Sequence, residues 1–153
     1  MTTPPVWSSV AEFSIALPGD VVYLQAQIRR LAQQAGFGEV ERTSIAIAAS
    51  ELATNILKYA GRGRILFRRS DQPVRLEIEA LDEGPGFADI AHALEDGHSD
   101  DRDARTGEWK PGHRGIGCGL GAVARLMDTL EVRNRPSGGA QVVAAKQLRS
   151  APR

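Results

Sequence analysis

The stretch Glu51-Leu52-Ala53-Thr54-Asn55-Ile56-Leu57-Lys58-Tyr59-Ala60-Gly61 decides how the chain is read. It closes a helix that the spacing predicts from about Glu39 to Tyr59. The apolar stripe of that helix is Ile45, Ala49, Leu52, Ile56 and Tyr59. This three-and-four alternation turns one face toward a core, and Gly61 and Gly63 end it. Glu51 and Asn55 are four residues apart, so they stand one above the other, with Lys58 near the same flank. That flank borders the stripe. A carboxylate there can serve as a general base, and a carboxamide oxygen can ligate a hard cation such as Mg2+. Taken alone, the pair also fits a solvated helix face.

Two further clusters lie downstream. Asp82-Glu83-Gly84-Pro85-Gly86 follows directly on an apolar strand. An acid at a strand end can accept from an exocyclic amine, and glycines let a ring approach the backbone; an ordinary Pro-Gly turn has the same composition. Gly115-Ile116-Gly117-Cys118-Gly119-Leu120-Gly121 leads into a helix. Backbone N–H groups in such a loop can point inward, beside a helix N-terminus that suits anions. A dinucleotide fingerprint would open the first βα turn of a parallel sheet, whereas this loop comes late. It also lacks the lysine–hydroxyl ending of a phosphate-binding P-loop. A hinge is the bland alternative.

Around these clusters the remaining elements fall into place. Apolar residues alternate from Phe13 as in a half-buried strand. Pro18-Gly19-Asp20 reads as a turn with Asp20 as N-cap, before a helix carrying Val21, Leu24, Ile28, Leu31 and Ala35. Strands are expected at Arg64–Arg69 and Val74–Leu81 around Asp71-Gln72-Pro73, and a short helix at Ala88–Glu95. Residues 97–113 are polar, without periodicity, and read as a long mobile loop. A helix with Val123, Leu126 and Met127 precedes closing strands Leu130–Asn134 and Ala140–Ala145. The order predicts an α+β fold, a two-layer sandwich in which helices cover one face of a mostly antiparallel sheet.

Composition sets the outer limits. The 153 residues suit one domain spanning 1–153, with residues 1–5 a frayed lead-in. Lys+Arg 19 balances Asp+Glu 19, which argues against bulk binding to nucleic acid or anionic lipid. One cysteine, Cys118, excludes an internal disulfide and a cysteine-built metal cluster, and three histidines are few for zinc. No apolar run approaches the ~20 residues of a membrane span, and the N-terminus has no basic-then-apolar leader pattern. The expectation is a cytoplasmic protein with neither nucleic acid nor membrane as partner. Arg62, Arg64, Arg68 and Arg69 form a local basic cluster. It reads as a solvated surface, or as a docking patch for an acidic partner.

The three clusters in their order, Glu-x-x-x-Asn, Asp-x-Gly-x-Gly and Gly-x-Gly-x-Gly, resemble the GHKL family of ATP-binding domains. Together with Arg125-Leu126-Met127-Asp128, they are similar to its anti-sigma regulatory serine/threonine kinase branch. Gly36-Phe37-Gly38 and Glu95-Asp96-Gly97 narrow the likeness to the RsbT-type stressosome switch kinases. The resemblance runs from about Phe13 to Leu148. It implies the Bergerat ATP-binding fold, with ATP and Mg2+ as cofactors, and a protein kinase acting on STAS-domain anti-anti-sigma or stressosome scaffold proteins. A PP2C-type phosphatase regulator or a sigma factor is implied as a further partner. The alternative is a nucleotide-dependent binding module that sequesters or activates such a partner with little catalysis.

The same resemblance implies roles by position. Glu51 would be the general base, and Asn55 would hold Mg2+ at the phosphates. Asp82 would accept from the adenine amino group, with Gly84 and Gly86 shaping the ring pocket. Gly115, Ile116, Gly117, Gly119 and Leu120 would form the lid over the triphosphate, and Arg114 or Lys110 would add a positive group at the γ-phosphate. Two departures stand out. The lid is extended by Asp100–Gly112, and the closing turn reads Gly139-Ala140 where the family commonly has Gly-Thr.

Overall fold

The computed structural model describes residues 3–93 and 119–149. Five strands form one sheet in the order β1-β2-β3-β5-β4: β1 (Ser8–Ile15), β2 (Gly63–Asp71), β3 (Val74–Asp82), β4 (Thr129–Asn134) and β5 (Ala140–Gln147). Every neighbouring pair is antiparallel. The helices are α1 (Pro18–Gln34), α2 (Glu39–Tyr59), the short α3 (Ile90–Ala93) and α4 (Leu120–Leu126). The expected α+β architecture is therefore present: an antiparallel sheet with its apolar residues turned to a helical layer.

The core follows from the two periodicities. Ile65 and Phe67 of β2, Leu76, Ile78 and Ala80 of β3, and Val142 and Ala144 of β5 are buried on one sheet face. Against them α1 packs Leu24, Ile28 and Ala32. Helix α2 lies between α1, the sheet and α4, so it buries Ala46, Ala48 and Ala53 beyond its stripe. Small residues let those neighbours approach closely. The opposite sheet face is laced with charge: Arg68 donates to Glu77 at 3.0 Å and to Glu79 at 3.3 Å, across the β2–β3 pair.

Three expectations about boundaries are corrected. Strand β1 begins at Ser8 because a register shift between Ser9 and Ala11 adds Val10 as an extra residue. That bulge breaks the alternation on which the later start rested. Helix α1 begins at Pro18 with Leu17 as N-cap, which places Asp20 at the third helical position. Asp20 reaches back instead, its Oδ2 accepting from the N–H groups of Ala16 at 2.9 Å and Leu17 at 2.8 Å. Those two amides hold its carboxyl below the ordinary carboxylate value. Helix α3 covers only Ile90–Ala93 of the expected Ala88–Glu95, and residues 94 and 95 lie outside the described part. So does the whole of the expected loop 97–113. Among the described residues, no helix is long and apolar enough to cross a membrane.

Candidate functional site

Asn55 and Asp82 are two of the three buried polar residues among those described, at 4% and 3% exposure. Burial of a polar group is costly unless it is hydrogen-bonded, so a polar pair set into an apolar core marks a place built for a purpose. Glu51 lies one turn before Asn55 on α2 and is half-buried, whereas Lys58 is exposed.

The start of α4 comes to Glu51. Gly119 is the N-cap of α4 and is left-handed, with φ at +77°. A Cβ built on it would collide with Glu51 Oε2 and lie 3.2 Å from Glu51 Cδ. Only glycine meets both conditions, the positive φ and the close approach. Leu120 follows as a fully buried core residue and anchors the helix. The last glycine of the Gly-x-Gly-x-Gly cluster thus rests on the carboxylate at which the Glu-x-x-x-Asn cluster begins. Gly115, Ile116 and Gly117 lie outside the described residues, as do Lys110 and Arg114.

At the end of β3, Asp82 is held by backbone. Its Oδ1 accepts from the Gly84 N–H at 3.0 Å and from the Ala140 N–H at 3.1 Å. Ala140 lacks the hydroxyl of a threonine, yet its amide reaches Asp82 directly. Gly84 lies on the C-terminal end of α2, where a Cβ would be 2.7 Å from Ala60 Cβ. Gly139 packs against the Asp82 carbonyl so closely that a Cβ there would overlap it.

Two residues that the motifs did not single out complete this corner. Asn134, at the end of β4, accepts from the Phe87 N–H at 2.7 Å and donates through Nδ2 to the Phe87 carbonyl at 2.9 Å. It pins the loop containing Gly86, whose Cβ position lies 2.7 Å from Asn134 Oδ1. Arg135 donates through Nη1 to the Asp82 carbonyl at 2.8 Å. No motif spacing marks either one; the only signal was their place in the turn just before Gly139-Ala140.

Residues 15–146 match the family model described as histidine kinase-like ATPase domain. The chain belongs to the histidine kinase-like ATPase family. Within it, the chain is 38% identical over 132 residues to serine/threonine-protein kinase RsbT of Bacillus subtilis (strain 168), covering 85% of this chain and 90% of that relative. Of the site residues expected from the sequence, the described part of this histidine kinase-like ATPase holds Glu51 and Asn55 on α2, Asp82 at the end of β3, Gly84 and Gly86 after it, and Gly119 and Leu120 at the start of α4.

The donor set near Glu51 fits Mg2+ in one particular way. Among the described residues, no three His, Cys, Asp or Glu side chains gather to cage a metal. Asn55 offers a single carboxamide oxygen. Mg2+ keeps waters and takes few protein ligands when phosphates supply the rest, and that is the only arrangement these residues suit.

Proposed function

We propose that this chain is a Mg-ATP-dependent protein serine/threonine kinase that phosphorylates STAS-domain regulatory proteins in a partner-switching pathway of the cytoplasm. The observation that carries the reading is the seating of Gly119 on the Glu51 carboxylate. It joins the glycine cluster that suits phosphates to the side chain that suits a proton. The similarity to the Bacillus subtilis kinase supports the same chemistry.

Phosphoryl transfer asks a protein mainly to position groups and to stabilise charge. Asp82 accepts from the adenine amino group, while Gly84, packed on Ala60, and Gly86, packed on Asn134, shape the ring pocket. Gly115, Ile116, Gly117 and Gly119 are the residues assigned to the triphosphate, and Leu120, buried in the core, anchors the start of α4 beside Gly119. Asn55 would hold Mg2+, which would neutralise phosphate charge there. Glu51 takes the proton from a serine or threonine hydroxyl of the partner. The hydroxyl oxygen then bonds to the γ-phosphorus as the bond to the bridging oxygen breaks, and ADP leaves with that electron pair. The product is a phosphoester on the partner. A PP2C-type phosphatase regulator or a sigma factor is the second class of partner.

The test incubates the protein with γ-phosphate-labelled ATP and a STAS-domain protein. Label on the STAS protein is the expected outcome, and E51Q should lower the rate by about 10²–10⁴-fold, the usual worth of a general base. Release of all label as free phosphate would make the protein a hydrolase. Nucleotide binding with neither product would make it a binding module.

A further inference from the structure

The basic cluster Arg62, Arg64, Arg68 and Arg69 divides in the folded chain. Arg68 is taken up by Glu77 and Glu79, and Arg69 donates to Asp71 at 2.6 Å. Burial works against the charge on Arg68, but its two carboxylates outweigh that and raise its pKa above the ordinary value. Arg62 and Arg64 go elsewhere. They line a cavity of about 540 Å³ at the end of the sheet, together with Arg135, Asp82, Glu83, Leu81 and Ser14. The cavity lies where β1 ends, β2 begins and β3 ends. Strand alternation turns Leu81 to the open sheet face and Asp82 to the helical side.

Three guanidinium groups, those of Arg62, Arg64 and Arg135, line the cavity against two carboxylates, Asp82 and Glu83. Arg64 meets Glu12 at 3.4 Å, with both side chains about half exposed, and such a pair is weakly held. Arg135 spends its Nη1 on the neutral carbonyl of Asp82. Arg62 has no ion pair or hydrogen bond among the described residues. Guanidinium forks bind carboxylates with two parallel bonds. Alongside them Leu81, Ala16 and Ala60 offer apolar surface, which suits the aliphatic stem of an acidic side chain. A volume of this order holds several side chains rather than one small ion.

We infer that this cavity is a docking site for an acidic peptide segment of a partner protein, with Arg62 as its principal contact and Arg64 and Arg135 beside it. Asp82 and Arg135 of the candidate nucleotide site lie on one wall of this cavity, whereas Glu51 and Asn55 do not line it, and docking there requires neither nucleotide nor hydroxyl.

The test uses fluorescence anisotropy of a fluorescein-labelled hexaglutamate peptide with the full chain at low salt and without nucleotide. R62E should weaken binding about tenfold or more, the worth of one charge-assisted hydrogen bond. R69E makes the same change of net charge at a residue already paired with Asp71, and should weaken binding less than about twofold if the cavity is the site. Equal weakening by the two variants would overturn the inference, because the peptide would then be reading overall charge. Displacement of the peptide by an equal concentration of inorganic phosphate would also overturn it, by assigning the cavity to a small oxyanion.

Discussion

The carboxylate of Glu51 occupies the space that a side chain on Gly119 would need. These residues come from opposite sides of the 94–118 segment, one on α2 and the other at the start of α4. Their contact fixes how the end of the glycine cluster meets the helix that carries the candidate base.

Replacing Gly119 by alanine should therefore disturb the site twice. A Cβ at a positive φ costs about 1–2 kcal/mol, and this one also displaces Glu51 Oε2. The Glu51 side chain can swing away, so the fold should survive with a modest fall in melting temperature. Transfer to the partner should fall by up to about 10²-fold, as expected for a group moved out of position. Melting followed by circular dichroism and a labelled-ATP transfer assay check the two halves. An unchanged transfer rate would argue that the Glu51–Gly119 contact is only packing.

For Asp82→Asn the hydrogen bonds define the outcome. The asparagine oxygen can keep the Gly84 and Ala140 amides, which turns its NH2 group to where the second carboxylate oxygen was. An adenine amino group then meets a donor. Affinity for ATP should fall about tenfold or more, while the melting temperature moves little. GTP carries a carbonyl oxygen in place of that amino group, which can accept from the new NH2, so its affinity should not fall and should rise. Calorimetric titration with both nucleotides decides, and equal affinity of the wild type for ATP and GTP would remove Asp82 from base recognition.

Asn134→Ala breaks both hydrogen bonds to Phe87 and frees the loop that carries Gly86. Two neutral bonds at a partly exposed position stabilise by about 1–2 kcal/mol together. Urea denaturation should show that loss with an unchanged slope. Affinity for ATP should fall as well, although Asn134 itself makes no contact in the proposed chemistry. Stability lost with full affinity retained would confine Asn134 to a structural role.

Asp20 provides a pH test. Its carboxyl is held below the ordinary value of 3.8 by the amides of Ala16 and Leu17. A carboxylate lowered on folding contributes stability that is fully present above the unfolded value. That contribution is lost as pH falls through the lower folded value. The gap in melting temperature between wild type and Asp20→Asn should therefore be constant from neutral pH down to about pH 4. Below that it should close. A gap that stays open at pH 2 would mean that charge on Asp20 is not what caps α1.

Helix α2 was legible because it is long, strongly periodic and bounded by glycines, and its expected limits agree with the fold. The hairpin of β2 and β3 was legible from a turn signal between two apolar runs. The start of β1 was not, because the bulge at Val10 puts an apolar side chain out of phase. An acid after Pro-Gly commonly caps at its own position, and the actual use of Asp20, reaching back to two amides, leaves the same sequence pattern. The candidate site was readable to the extent that its residues cluster along the chain. Asn134 and Arg135 were not, since their partners Phe87 and Asp82 are 47 and 53 positions away. Only the insertion of β5 between β3 and β4 brings them together.

The amide of Ala140 that holds Asp82 lies 58 residues further along the chain. During synthesis Asp82 leaves the ribosome several seconds before Ala140 does, at about 5–20 residues per second. Throughout that interval β3 has no β5 beside it, and Oδ1 lacks the Ala140 donor. On the role proposed for Asp82, loading with nucleotide should be a late event in the life of the nascent chain, waiting on β5. A translation arrest placed before residue 140 should yield ribosome-bound chains that carry Glu51, Asn55 and Asp82 and still fail to retain ATP.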